Sequence, residues 1–230
     1  DEYKEHVDNN AYTNYMAHEN MRLAAQVIAC IRDEKKDIYG KMQKLMQEEG
    51  TSLEQLEEEL KDKMKKLYLP QPDEKTGIIP QFDGYFDLKE IDLSVYKNAS
   101  VVGTVFHDYS GEDVQGMQAG KQADIVELLY QMEDITTPDN KAKNYVYYEA
   151  RTLHDSSLSK AIHSITACDL GMEKEAYDMF MSAALTDLGQ EMKSSDAGIH
   201  SANMGGVWQD VVMGFGGIRI RDGHLRIAPN

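Results

Sequence analysis

The sequence predicts an all-α fold built from helical hairpins, with a short β-hairpin at its C-terminal edge. Three observations predict it. About eight stretches carry apolar residues at helical spacing between polar starts and glycine stops. A strand–turn–strand pattern occurs at the end, where Ile218, Ile220, Leu225 and Ile227 flank Asp222-Gly223. The unusual polar residues gather near 1–10, 116–122, 151–159 and 196–206, in loops after alternate helices. A barrel of helical hairpins would build a site at one end in this way. There is no short internal repeat, which argues against a solenoid.

The elements follow in order. Asp8-Asn9-Asn10 is a helix start ahead of Ala11 to Arg32, where Tyr12, Tyr15, Met16, Leu23, Val27, Ile28 and Ile31 have the spacing of a buried face. A weaker helix runs from Lys35 to Glu48 and stops at Gly50. Thr51-Ser52-Leu53-Glu54 reads as a capping box opening a third helix, with Leu53, Leu56, Leu60, Met64 and Leu67 on one stripe and a solvated Glu/Lys surface elsewhere. Helical periodicity fails between Pro70 and Gly120. Ile78-Ile79-Pro80-Gln81-Phe82-Asp83-Gly84-Tyr85-Phe86 reads as a long ordered loop or a short hairpin, its aromatics arguing against disorder. A mostly apolar helix covers Ile125 to Met132, with Lys121 and Gln122 expected in its first turn. A lysine there opposes the helix dipole, so an anionic or polar partner is expected beside it. Further helices are read at 139–150, Lys160–Leu170, Glu173–Leu188 and Ser201–Met213.

The chain has 230 residues, enough for one sizeable core or two small ones. Acidic residues outnumber basic ones by 40 to 24, and no basic cluster punctuates the sequence, which argues against nucleic acid and anionic membranes as partners. No window is long and apolar enough to span a bilayer and no signal peptide opens the chain, so it reads as cytoplasmic. Cys30 and Cys168 both fall on apolar helical faces and read as buried free thiols. The dense start at Asp1, without an initiator Met, and the end just after a strand-like run predict a piece of a longer protein.

One stretch organises the reading of the chain, Tyr147-Tyr148-Glu149-Ala150-Arg151-Thr152-Leu153-His154-Asp155-Ser156-Ser157-Leu158-Ser159, from which an apolar helix begins at once. Ser156 or Ser157 falls at or near that helix N-terminus, where free N–H groups and the dipole attract an anion. A serine there either caps the helix or helps hold a phosphate, and a cap alone needs one polar residue rather than a His-Asp-Ser-Ser cluster. In so acidic a protein, a phosphate site needs a local cradle of cations and N–H dipoles. Other site types are set aside. There is no Walker or dinucleotide pattern. The histidines are scattered, with no HExxH motif and no cysteine pair at zinc spacing, so no metal is expected. Three near-neighbours in sequence rarely give triad geometry, and there is no nucleophile elbow. Carboxylates, hydroxyls and aromatics remain, the components of a sugar site.

At these residues the sequence resembles glycoside hydrolase family 65, the disaccharide phosphorylases acting on maltose, trehalose, kojibiose or nigerose. The resemblance is carried by the run from Asp1-Glu2-Tyr3-Lys4-Glu5-His6 to Asn14, and by Ile78–Tyr85, Lys121-Gln122-Ala123-Asp124, His154-Asp155-Ser156-Ser157-Leu158-Ser159 and the helix containing Trp208. The blocks occur in family order over essentially the whole chain; Ala150 departs from the proline of many members. The resemblance implies the second half of an (α/α)6 barrel over residues 1–217, with residues 218–230 starting a C-terminal β segment. It implies inverting phosphorolysis of an α-linked glucosyl disaccharide to β-glucose 1-phosphate and a free sugar. Glu2 would be the general acid, its pKa raised by burial or by Asp1 or Glu5. Phosphate takes the place of the water and general base of an inverting hydrolase, so one carboxylate suffices. Lys121 and Gln122 are implied to bind the glucosyl unit, and Ser156, Ser157, His200 and Lys121 the phosphate. No cofactor is implied beyond inorganic phosphate as co-substrate, and family members are commonly homodimers.

Several readings stay open on the residues themselves. Either serine could be the cap. His200 could be a packed loop histidine, and His163 reads as structural. Trp208 reads as barrel wall. Glu149 is either a second carboxylate of the site or the ion-pair partner of Arg151. The competing reactions are inverting hydrolysis, which would need a carboxylate where the phosphate cradle lies, and an inactive fragment.

Overall fold

The computed structural model describes residues 1–97, 101–189, 198–221 and 223–230. Asp196 of the polar loop and Asp222 of the hairpin turn lie outside the described residues. The chain is mostly helical and divides into two compact units, Asn9–Pro70 and a larger one formed by Asp1–Asp8 with Gln71–Asn230.

The smaller unit holds α1 (Ala11–Glu34), α2 (Lys36–Glu48) and α3 (Leu53–Lys66). Asn10 opens α1 by accepting the Thr13 N–H at 2.9 Å. Tyr15 and Ile28 are buried as their spacing predicts, whereas Leu23 and Val27 are exposed. Cys30 is also exposed, against the expectation of a buried thiol; Cys168 is buried. The reason is geometric: the neighbouring helices cover one face of α1, and helical spacing does not say how wide that face is. Ser52 caps α3 by accepting the Gln55 N–H at 3.1 Å. The reciprocal half of a capping box is missing, because the Gln55 carbonyl oxygen accepts from Thr51 Oγ1 instead.

The larger unit begins with the segment 1–8, pinned by buried Lys4. Its ammonium donates to the carbonyls of Val114 at 2.6 Å and Gln115 at 3.1 Å, and to that of Met117. Burial lowers the Lys4 pKa to about 8. Residues 71–97 and 101–120 are mostly loop, carrying two short α-helices, α4 (Ser94–Lys97) and α5 (Gly111–Gln115), and short 3-10 turns at Tyr85–Asp87 and Thr104–His107. The Ile78–Phe86 stretch is an ordered loop rather than a hairpin. Ile79, Phe82 and Tyr85 are buried, and the Ile79 N–H donates to Asn144 Oδ1 at 2.8 Å. Tyr85 meets Phe82, Phe86, Tyr147 and Tyr148 in ring contacts with centroids 5.3–6.5 Å apart, an arrangement in which aromatic quadrupoles attract edge to face.

The remaining helices are α6 (Ile125–Gln131), α7 (Pro138–Glu149), α8 (Ser159–Asp169), α9 (Glu173–Ala184) and α10 (Ser201–Gln209). α8 is the centre of the unit. Every residue from Ala161 to Cys168 is buried, because α6, α9, α10 and the turn after α10 pack around it. α9 ends four residues earlier than its apolar pattern suggests, in tighter turns from Thr186 to Ala183 and from Leu188 to Leu185. The last turn read as α-helix is a π-helical segment, Asp210–Phe215. Gly214 lies where an added Cβ would come within 2.6 Å of Asp210 Oδ1 and 3.5 Å of Cys168 Sγ, so only glycine lets the two helices close there. β1 (Ile218–Arg221) and β2 (His224–Ile227) form an antiparallel hairpin with Ile218 opposite Ile227. No helix among the described residues is long and apolar enough to cross a membrane.

Candidate active site

Three loops of the larger unit are laced together by main-chain bonds. Gly120 N donates to the Arg151 carbonyl and Leu153 N to the Gly120 carbonyl, both at 2.8 Å, giving a parallel bridge between Gly120 and Thr152. Asp155 N continues the pattern to the Lys121 carbonyl at 2.9 Å. Asp1 ties in the first segment, accepting from Tyr3 N at 2.9 Å and from Lys121 N at 3.1 Å. Lys121 and Gln122 therefore sit in this loop and not in the first turn of α6, which starts at Ile125 after Asp124. The anionic partner expected beside Lys121 is present: its ammonium donates to Glu2 Oε2.

The Glu2 carboxylate is 65% exposed, so the burial expected to keep it protonated is absent here. The Asp1 carboxylate accepts from the backbone N–H groups of Tyr3 and Lys121.

Ser156 and Ser157 lie in the turn before α8 and are half-buried. Ser156 Oγ accepts the Leu158 N–H at 3.3 Å, a capping contact, while the residue at the helix boundary is Leu158. No protein hydrogen bond engages the Ser157 hydroxyl among the described residues. His200, just before α10, is held by Asp187: its N–H donates to one carboxylate oxygen at 2.9 Å and its Nδ1 lies 2.6 Å from the other. The described contacts tie Lys121 both to Glu2 and, through the Asp155 N–H, to the serine turn, and give His200 the Asp187 carboxylate as its partner. Trp208 is 61% exposed.

A buried polar cluster supports the serine turn from behind. Ser159 Oγ accepts the Ala123 N–H at 3.1 Å, leaving its proton for His154 Nδ1 at 2.9 Å. His154 then carries its own proton on Nε2 and donates to Glu149 at 3.2 Å. Burial lowers the His154 pKa to about 4 despite the opposing pull of Glu149, so the ring is neutral at pH 7. His163 Nδ1 donates to the same carboxylate, and Lys97 Nζ donates to Glu149 Oε1 at 2.6 Å. Burial works against the Glu149 charge, but His163 and His154 outweigh it and hold the carboxyl well below its ordinary range. His154 adopts a left-handed backbone, φ 57°, a conformation that persists in a non-glycine residue when its surroundings hold it at both ends.

Two sequence readings change here. Glu149 pairs with Lys97, His154 and His163 rather than with Arg151, which pairs with Glu90 at 3.0 Å and stacks its guanidinium 3.7 Å from the Tyr147 ring centre. Ligand atoms of Glu149, His154 and His163 also lie within 4.8 Å of one another, a metal-like grouping that the scattered histidines did not reveal. The Lys97 ammonium on Glu149 supplies the positive charge that a cation would bring, so the donor set fits a hydrogen-bonded cluster better than a metal centre. Lys97 had no sequence signal, because it joins Glu149 from 52 positions upstream.

The chain is similar to known proteins over its whole length. The glycosyl hydrolase family 65 central catalytic domain matches residues 1–209, and the chain belongs to that family. It is 44% identical to a kojibiose phosphorylase of Halothermothrix orenii over 230 residues, covering all of this chain and 28% of that protein. It is 37% identical to an α,α-trehalose phosphorylase of Thermoanaerobacter brockii, again over all of this chain and 29% of the relative. A solved structure described as a candidate kojibiose phosphorylase from the human microbiome superposes with TM-score 0.84 at 30% identity, covering 100% of this chain and 32% of that one. The chain thus spans less than a third of the length of the curated relatives it matches.

Proposed function

We propose that the protein containing this chain is an inverting disaccharide phosphorylase. Glu2 acts as general acid toward the glycosidic oxygen. Lys121 and Gln122 hold the glucosyl unit, and phosphate sits on Ser156, Ser157 and the N–H groups opening α8, with His200 and Lys121 completing the cradle. Phosphate attacks the anomeric carbon from the face opposite the departing sugar, forming β-glucose 1-phosphate while the Glu2 proton passes to the leaving oxygen. The helices would be the second half of an (α/α)6 barrel, followed by a C-terminal β segment, in a homodimeric cytoplasmic enzyme.

The observation that carries this reading is the Glu2–Lys121 ion pair in the loop that Asp155 N ties to the serine turn. It puts an acid beside a cation whose loop is bonded to the turn that carries both serine hydroxyls. Glu149, the residue that could have served a hydrolase as base, is held ionised by Lys97 and two histidines and is 14% exposed.

The test is to incubate the full-length protein with kojibiose, trehalose, nigerose and maltose, with and without phosphate, and to assay β-glucose 1-phosphate. Kojibiose is the first choice, on the 44% identity to a kojibiose phosphorylase. Phosphate-dependent product is expected; glucose released at the same rate without phosphate would make the enzyme a hydrolase and the serines plain caps.

A further inference from the structure

Asp155 has no chemical role in the proposed reaction, yet three other segments converge on it. One carboxylate oxygen accepts from Tyr3 Oη at 2.7 Å, the other from Gly103 N at 2.8 Å, and the Asp155 N–H donates to the Lys121 carbonyl at 2.9 Å. Tyr3 directly follows Glu2, and Ser156 and Ser157 directly follow Asp155. The Tyr3 ring is wedged edge-on against Phe106 with centroids 5.3 Å apart, which fixes the direction of its hydroxyl. Burial, then the hydrogen bond to Asp155, push the phenol pKa upward, so it stays a donor across the working pH range.

We propose that Asp155 is a positioning residue, which through the Tyr3 hydroxyl sets the spacing between the general-acid loop and the phosphate cradle. This rests on the phosphorylase reading above. Inversion places the acid and the attacking oxygen on opposite faces of one sugar carbon, so the gap between their loops decides whether both reach it together. Displacements near 1 Å in such an arrangement cost about 100-fold in rate. The Tyr3–Asp155 bond spans that gap, and the Asp155 N–H fixes the same turn against the loop holding Lys121. Gly103 buttresses the carboxylate from the far side, so its geometry does not depend on bound substrate.

The experiment uses the full-length enzyme and the variants Tyr3→Phe, Asp155→Asn and their combination, with kcat and both KM values measured in the phosphorolysis assay. Tyr3→Phe removes one hydroxyl and keeps the ring against Phe106. It is expected to lower kcat about 10- to 100-fold while the disaccharide KM changes less than about twofold. The double variant is expected to be no slower than Asp155→Asn, since both break one tie. Thermal midpoints of all variants separate positioning from folding, because a folding defect would lower activity only in step with the midpoint. A phosphate-dependent wild type with Tyr3→Phe at wild-type kcat, or with losses that multiply in the double variant, overturns the positioning role alone. A wild type indifferent to phosphate overturns the phosphorylase reading, and this role with it.

Discussion

In Asn9–Pro70 the polar contacts are mostly short-range. Arg22 reaches Glu19, Lys61 reaches Glu57 and Lys66 reaches Asp62 along single helices, and caps at Asn10 and Ser52 act within three residues. Around Asp155 the same residue types bond across most of the chain: Tyr3 to Asp155 over 152 positions, Lys4 to the carbonyl of Val114 over 110, and Lys97 to Glu149 over 52. Many contacts of the first region are exposed pairs along a single helix, worth little each, although Glu57 is shared by Arg32 and Lys61 and Glu54 by Tyr39 and Gln43. The second concentrates buried charges in a few shared hubs, where removing one partner strands several others.

The largest effect expected from that contrast is at Glu149. Glu149→Ala would leave Lys97, His154 and His163 without their common acceptor and cost about 3–5 kcal/mol. Urea unfolding followed by the fluorescence of Trp208, the single tryptophan of the sequence, reports on the unit concerned. A loss below about 1 kcal/mol would mean the cluster is not a hub.

A smaller effect, and one of opposite sign, is expected at Asp210. Burial raises its carboxyl to about 7, only partly offset by the nearby Ser164 hydroxyl, which itself donates to the Ala176 carbonyl, and neither Asp210 oxygen has a hydrogen-bond partner among the described residues. Its pKa is thus higher folded than unfolded, so between about pH 4 and 7 the folded state binds the extra proton and stability falls as pH rises. Asp210→Asn removes that slope and should gain on the wild type by about 2 kcal/mol between pH 5 and 8. Melting curves at the two pH values check it, and parallel shifts in both proteins would contradict it.

The smallest effects are expected in the three-helix unit. Ser52→Ala loses the α3 cap and should cost about 1 kcal/mol. Lys66→Ala breaks an exposed pair and should cost no more than a few tenths of a kcal/mol. Urea titrations monitored by helical circular dichroism measure both. A Lys66 effect as large as the Ser52 effect would erase the contrast between the two regions.

Much of the fold was legible because its signals are local. Asn10, Ser52 and the α3 stripe work within a turn or two of helix, and the C-terminal strands were readable from alternation. The motif residues Glu2, Lys121, Ser156 and Ser157 were legible as candidates, and the family match over residues 1–209 spans all of them. Their partners were not. The Lys121 first-turn placement failed because Gly120 and Lys121 bond to the 151–155 run before the chain turns helical at Ile125. Cys30 was misread as buried because period alone does not say which part of an apolar face finds a neighbour. The π-segment at Asp210–Phe215 was read as α-helix because both present nearly the same spacing, and the Asp210–Gly214 contact that accompanies it lies outside any periodic pattern.

By itself the sequence determined that the chain is mostly helical, where most helices start, that a hairpin follows them, and which side chains could carry sugar and phosphate chemistry. These are properties of residues within one or two helical turns, where spacing and capping act directly. Only the tertiary structure decided that Lys97 neutralises Glu149, that Tyr3 meets Asp155, that Glu2 is exposed beside Lys121 and that His200 rests on Asp187. Those contacts join loops many residues apart. Which loop meets which is set by how α6 and α8 to α10 pack, and no local pattern encodes it.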